Sequence, residues 1–250
     1  AEVVVFTIGD VAGNRMDGAV RVLTGKRHLP IADVVSFPSF GTRRRLTRAL
    51  ADGSFDAVSI HTRFFPMSFV GLRAAKRAGV PVVHTEHGSG FVAAASRLVG
   101  FASRLVDLSL GRYVLRAADK VLGVSEQAAA FARRLGAKSP GVFHNAIPEV
   151  LPRSEISDRP ENLVFVGRMV AGKGWDTFLE AVAELRRLGR DVTGELLGDG
   201  ESLEAAKSLA GSLGLDGVVQ VRGRVESSEV RRSLRGATLV NPTVLSEGFQ

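Results

Sequence analysis

The sequence predicts an α/β protein built from two doubly wound domains, and three observations carry that prediction. Short, continuous apolar runs recur along the chain, as parallel strands covered on both faces require. Segments with apolar residues at helical spacing lie between them, giving the β-α-β rhythm of a doubly wound sheet. The rhythm breaks once, at "AIPEVLPRSEISDRPEN" (146–162), where three prolines and little apolar periodicity read as a linker.

In chain order, the first domain is expected over residues 1–148, with strands at 3–8, 57–61, 81–85 and 120–124. The linker takes 149–160. The second domain takes 161–250, with strands at 163–167, 194–198, 218–222 and 238–242. Helices are expected at 69–78, 126–135, 175–188 and 203–213, the third with a buried stripe of Phe178, Val182 and Leu185. After the first strand, "VAGNRMDGAVRVL" (11–23) is too short and glycine-broken for a covering helix. The second domain holds about four strands in 90 residues and the chain stops at "LSEGFQ". Both domains therefore read as pieces of longer ones, cut at each end of the chain.

Composition bounds the function. Of 250 residues, 45% are hydrophobic and 24% charged, as in folded soluble proteins. The chain has no cysteine, which excludes disulfides and thiolate zinc sites and fits a reducing, cytoplasmic compartment. Of its 33 basic residues, 6 are lysine and 27 arginine, and the net charge is +7. Arginine pairs bidentately with carboxylate and phosphate, so an anionic partner is expected; a codon bias toward arginine accounts for the count equally well. No run of 18 apolar residues is present to cross a membrane, and "AEVVVFTIGD" reads as a strand rather than a signal peptide. Aromatics are 6% of the chain and do not interleave with basic runs, which argues against nucleic acid.

The stretch "FVGRMVAGKGW" (165–175) carries Gly167, Gly172 and Lys173 at the spacing of a nucleotide-triphosphatase P-loop, G-x-x-x-x-G-K-[ST]. The last position is Gly174, which has no hydroxyl for a metal ion. A strand nevertheless precedes this loop and a helix follows it. Free backbone N–H groups and the helix dipole therefore favour an anion there, and Arg168 and Lys173 add two full charges suited to a diphosphate. A tight turn with no ligand is the structural alternative.

Four pieces follow in order: "LVFVGRMVAGKGWDTFLEAV", "LLGDGES", "VQVRGRV" and "VNPTVLSEGF". Together they resemble the donor-binding domain of the retaining GT-B glycosyltransferases of family 4. The first domain agrees, with "DAVSIHT" (56–62), "GVPVVHTEHG" (79–88) and "VLGVSEQAAAFARRLGAKSPGVFHNAIP" (121–148) resembling strands and loops of the same family. On that alignment residues 2–5 match the family's second strand, so its first strand and glycine loop would lie upstream.

The resemblance implies two Rossmann-like domains facing across a cleft and sugar transfer from a nucleotide diphosphate to an acceptor hydroxyl with retention. It implies that Arg168 and Lys173 bind the diphosphate of a UDP- or GDP-sugar. Gly167, Gly248 and Phe249 would belong to the donor loops, and Glu247 would sit near the donor sugar. Thr243 stands where the family usually has Ser, and Gln250 where it has Gly. His87, after a parallel strand, is the catalytic candidate on the acceptor side. His61 and Glu86 are further acceptor-side candidates, while His84 reads as a structural strand histidine. The chain has no Asp-x-Asp and no zinc spacing among its 5 histidines, so no metal or other cofactor is expected. The acceptor would be a sugar, a lipid-linked glycan or a small molecule. Arg97, Arg104, Arg112 and Arg116 fall on one side of a helix spanning 96–118, and with "TRRRLTR" (42–48) they read either as a solvated basic face, the more common case, or as a contact with the inner face of an anionic membrane. An inactive sugar-nucleotide-binding or scaffold protein, or a GT-B-like epimerase, remains as an alternative.

Overall fold

The structure is a computed structural model that describes residues 2–31, 35–53, 55–91, 97–146 and 157–244. They form two compact units, one ending at Ala146 and one carrying the strands from Arg159 onward. Each of the expected strands is present, with shifted ends; the expected helices are present, that over 96–118 interrupted by a π-turn, and helices at Phe40–Asp52 and Ser227–Leu234 join them that the apolar pattern did not mark.

The first unit holds two sheets. In one, β3 (Val20–Ile31) pairs in parallel with β1 (Val4–Gly9) and antiparallel with β2 (Gly13–Asp17) and β4 (Val35–Pro38). The segment 11–23 is thus a hairpin. Asp17 pairs with Val20, so Gly18 and Ala19 form a two-residue turn, with glycine at the first position, where φ is 58°. The other sheet is wholly parallel, in the order β5 (Val58–His61), β6 (Val82–Glu86), β7 (Lys120–Gly123), β8 (Gly141–Val142). Helix α1 (Phe40–Asp52), capped by the Ser39 hydroxyl accepting from the Thr42 N–H, buries Leu46 and Leu50 beside Ile60, Leu72 and Val82.

Three crossovers link the parallel strands. Helix α2 (Pro66–Ala78) begins on proline and ends on Gly79 at φ 71°. The second crossover is α3 (Arg97–Val106), a π-turn (Asp107–Gly111) and α4 (Arg112–Ala117). Helix α5 (Glu126–Leu135) starts from the Ser125 side chain and ends at Gly136 in the left-handed region.

The second unit is one parallel sheet in the order β11 (Val219–Gly223), β10 (Thr193–Leu197), β9 (Arg159–Val166), β12 (Ala237–Leu239). Its helices are α6 (Trp175–Arg187), α7 (Leu203–Ser212) and α8 (Ser227–Leu234). Of the expected stripe, Phe178 and Val182 are fully buried in a core with Leu163, Phe165 and Leu196, and Leu185, partly buried, packs against that core. Strand β9 takes in Arg159 and Pro160, the end of the stretch read as linker. Residues 149–156 of that stretch lie outside the described residues. The order of strands reverses direction between β9 and β12, so the carboxyl end of β9 is the switch point where ligands of such sheets bind.

Candidate functional site

At that switch point β9 runs out into the glycine-lysine loop. A pocket of about 660 Å³ opens over the carboxyl ends of β9, β10 and β11, lined among others by Gly167, Arg168, Asp199 and Arg224. Backbone hydrogen bonds lace its floor: the Gly167 N–H donates to Leu197 O, the Met169 N–H to Asp199 O and the Ser202 N–H to Met169 O. The two loops approach so closely that a Cβ at Gly198, whose φ is 145°, would collide with the Gly167 carbonyl. Arg168 and Arg224 are both exposed. They supply two cations without a carboxylate on either guanidinium among the described contacts. Arg224 was not expected as a site residue. Its position, directly after Gly223 at the carboxyl end of a parallel strand, repeats that of Arg168 after Gly167, and that repeat is the signal that marks it. Lys173 is half-buried five residues beyond Arg168, at the mouth of α6, with its N–H donating to Val170 O.

Gly174 is the N-cap of α6, at φ 85°. A Cβ there would run into the carbonyl and ring of Pro242. Residues 242–244 belong to this loop in another way: the Thr243 hydroxyl and the Val244 N–H both donate to Gly172 O, at 3.2 and 3.0 Å. Threonine in place of serine keeps that bond. The position that would carry a metal-binding hydroxyl in a P-loop is therefore closed by conformation and by its neighbour.

In the first unit, His61 ends β5 and His87 follows β6. Their rings lie 5.3 Å apart, with His61 Nδ1 and His87 Nε2 at 3.1 Å, so one nitrogen donates and the other accepts. Burial, then the neighbouring His87 and His84, lower the His61 pKa from its ordinary 6.5. His61 also lines a groove of about 390 Å³ together with Ile8 and Arg27. The groove lies where β1, paired only with β3, and β5, paired only with β6, meet no further strand among the described residues.

Glu86 is not an acceptor-side group. It is fully buried, and the period of two along β6 puts it on the same inward face as His84, which is also fully buried. Its Oε1 accepts from Arg63 Nη1 at 2.8 Å and from the Gly88 N–H at 2.8 Å, and its Oε2 lies 3.3 Å from His84 Nε2. Burial alone would push this carboxyl up. The His84 hydrogen bond, the Arg63 charge and the Gly88 N–H outweigh it and hold the pKa below the usual value.

Of the basic face read over 96–118, Arg104, Arg112 and Arg116 are exposed, and the Arg97 side chain lies outside the described residues. The π-turn resets the helical register, turning Asp107 and Gly111 inward. Arg104 lies over the Phe91 ring at 4.5 Å, and Arg112 and Arg116 lie beside Gly136 at the end of α5. Within 42–48, Arg45 donates to the carbonyls of Thr24 and Gly13. Beside Arg104 and Ser109, α3 and the π-turn expose a row of apolar side chains: Leu98, Val99, Phe101, Leu105, Leu108 and Leu110. Among the described residues no helix is long and apolar enough to cross a membrane, and no three His, Asp or Glu side chains gather to hold a metal. Glu247, Gly248 and Phe249 lie outside the described residues.

Gly174→Ser forces a side chain into the left-handed region against Pro242. It is expected to destabilise the second unit by about 1–3 kcal/mol. A urea titration followed by the fluorescence of Trp175, the sole tryptophan, reads this as a lower midpoint.

Comparison with known proteins agrees with the geometry. Residues 1–145 match the model of the glycosyl transferase 4-like domain, and residues 147–249 that of glycosyl transferases group 1. An uncharacterized glycosyltransferase of Methanocaldococcus jannaschii is 28% identical over 185 residues, covering 69% of this chain and 47% of the relative. The D-inositol 3-phosphate glycosyltransferase of Frankia alni is 29% identical over 220 residues, covering 79% of this chain and 54% of the relative. The chain thus spans about half the length of the curated relatives it matches. Among solved structures, the pneumococcal O-GlcNAc transferase GtfA in complex with UDP and GlcNAc superposes with a TM-score of 0.63 at 14% identity, over 86% of this chain and 42% of that one. The chain belongs to the family 4 glycosyltransferases, of GT-B fold.

Proposed function

We propose that this chain is the core of an enzyme that binds a nucleoside-diphosphate sugar, UDP- or GDP-linked, on its second unit and passes a hexosyl or N-acetylhexosaminyl group to an acceptor hydroxyl with retention. The observation that carries the reading is Arg168, standing in a pocket at the switch point of the parallel sheet. The chemistry follows from charge. As the glycosidic bond breaks, negative charge grows on the leaving diphosphate. Fixed cations there stabilise the transition state more than the ground state. Arg168, Lys173 and Arg224 supply that charge from the protein, and no metal is invoked. Glu247 is assigned to the donor sugar, with Gly167, Gly248 and Phe249 in the donor loops. His87, paired with His61, is assigned to hydrogen bonding of substrate hydroxyls on the first unit. UDP is favoured as the carrier because a solved relative of this fold holds it.

Arg168→Ala is expected to weaken UDP or GDP binding by about 1.5–3 kcal/mol, the worth of a hydrogen bond to a charged group. Calorimetric titration with UDP, GDP and ADP, with and without magnesium, checks it. Unchanged affinity would remove Arg168 from the site, and binding only with magnesium would overturn the metal-free reading. Tight binding with no turnover of any donor would favour the inactive sugar-nucleotide-binding alternative.

The reading extends to the inner face of the membrane, where a lipid-linked acceptor would lie. Its support is the apolar row on α3 and the π-turn, with Phe101 62% and Leu98 76% exposed, on a chain of net charge +7. Vesicles rich in phosphatidylglycerol are expected to carry the protein upward in a flotation gradient, and Phe101→Ser with Leu105→Ser should release it. Equal flotation with neutral vesicles, or none at all, would sink the membrane assignment.

A further inference from the structure

The chain carries a second charged constellation, wholly buried, directly behind the two histidines. Arg63 is 1% exposed. Its Nη1 donates to Glu86 Oε1 at 2.8 Å, and its Nη2 donates both to Asp107 Oδ2 at 2.9 Å and to the carbonyl of Gly90 at 3.0 Å. The guanidinium lies over the Phe131 ring at 4.6 Å. Asp107, also fully buried, is the first residue of the π-turn, and the close packing of Gly111 on the Arg63 stem leaves no slack there. Burial pushes the Asp107 carboxyl up, and Arg63 only partly offsets this. Two carboxylates thus share one cation in a dry interior, an arrangement that costs desolvation and is not needed to fill a core.

Both histidines are tied to this cluster. His87 sits between Glu86, which accepts from the Gly88 N–H, and Gly90, whose carbonyl Arg63 holds. His61 is followed by Thr62 at φ 60°, a strained conformation for a β-branched residue. The Ser68 hydroxyl spans the carbonyls of His61 and Thr62, at 2.6 and 2.8 Å, and the Thr62 N–H donates to Thr85 O. The strained turn at Thr62 lets residues two apart, which a regular strand would put on one face, point opposite ways, His61 toward His87 and Arg63 into the interior.

We propose that Arg63, with Glu86 and Asp107, is a positioning residue that locks the His61–His87 pair into register and so presets the acceptor-side surface. Its importance for transfer rests on the assignment of His87 above. The locking itself does not, and the test reads imidazoles rather than turnover, so its failure leaves the donor-site assignment standing.

Histidine side-chain NMR of the whole chain across a pH series decides the matter. The charged and titratable groups that face the pair are His84 and Glu86 from β6, Arg63 after β5, and Arg27 of β3, which lines the same groove as His61. In the wild type the two rings should titrate as a coupled pair, with His61 below 6.5. Arg63→Lys keeps the charge but cannot reach three acceptors in a planar fork. It should uncouple the two rings and raise the His61 value as the His87 contact loosens, burial continuing to hold it below 6.5. A folded Arg63→Lys whose pair still titrates as in the wild type overturns the proposal, whereas a merely structural role would lower the denaturation midpoint and leave the pair coupled. Should that variant not fold, Asp107→Asn is read the same way. Hydrogen exchange of the unmutated chain gives the answer without any substitution. The Gly88 amide should exchange as slowly as the amides of β6, and exchange at the rate of an open loop overturns the proposal.

Discussion

The first unit is organised around the need to neutralise Arg63. A guanidinium with 1% of its surface exposed must find acceptors in the interior, because leaving it unpaired would cost several kcal/mol. It finds them on three separate pieces of chain: Glu86 at the end of β6, Gly90 in the loop beyond, and Asp107 in the second crossover. Each acceptor must then come to a fixed point, and the local geometry bends to allow it. The crossover helix opens into a π-turn at Asp107, and the chain after β5 accepts a positive φ at Thr62. Strain of that kind persists only where the surroundings over-determine it. The interior charge and the irregular backbone are therefore one feature, and the histidine pair is its exposed end.

The second unit solves a different problem with backbone alone. Its pocket lies over loops 167–169 and 198–202, tied together by main-chain hydrogen bonds at glycines where no Cβ would fit, and the adjoining 172–174 turn is tied to 242–244 in the same way. Loops bonded this way cannot move independently, and the Gly198 N–H also donates to Gly223 O, so the backbone positions from which Arg168 and Arg224 extend are held over the sheet. A cation that is already in place costs little to organise when charge develops on a bound group. This is why the glycines matter as much as the arginines.

How much of this was legible in the sequence depends on whether the signal was local. Helix α5 is bounded where the sequence put it, since Ser125 and Gly136 cap it from within a few residues. The parallel strands announce themselves as apolar runs. The hairpin β2–β3 carried its turn glycine, Gly18, in plain view, but its polar, exposed first strand has no apolar run to match. Helix α1 was hidden by its arginines, because only Leu46 and Leu50 mark its inner face. The π-turn and the Arg63 cluster were not legible at all. Arg63, Glu86 and Asp107 are 23 and 21 residues apart along the chain, and a charged residue in a sequence is read as surface. Glu86 was misplaced for that reason, although the alternation through His84 already pointed it inward.

The two units answer the question posed by the glycine-lysine loop from opposite directions. A P-loop holds phosphate with a metal ion whose position depends on a hydroxyl at the first turn of its helix. Here that position is Gly174, in a conformation that disfavours any side chain and packed against Pro242, so the loop cannot be one substitution away from a P-loop. In the proposed reading the charge comes instead from side chains around the rim, and arginine is suited to this because its guanidinium stays ionised and meets phosphate oxygens in a fork. The large arginine excess of the chain is thus put to two unlike uses. At Arg168 and Arg224 the guanidinium is kept exposed, open to an anion that arrives from outside. At Arg63 it is buried, and the anions are the protein's own carboxylates. What separates the two roles is access to solvent, a property of the fold that residue identity does not carry.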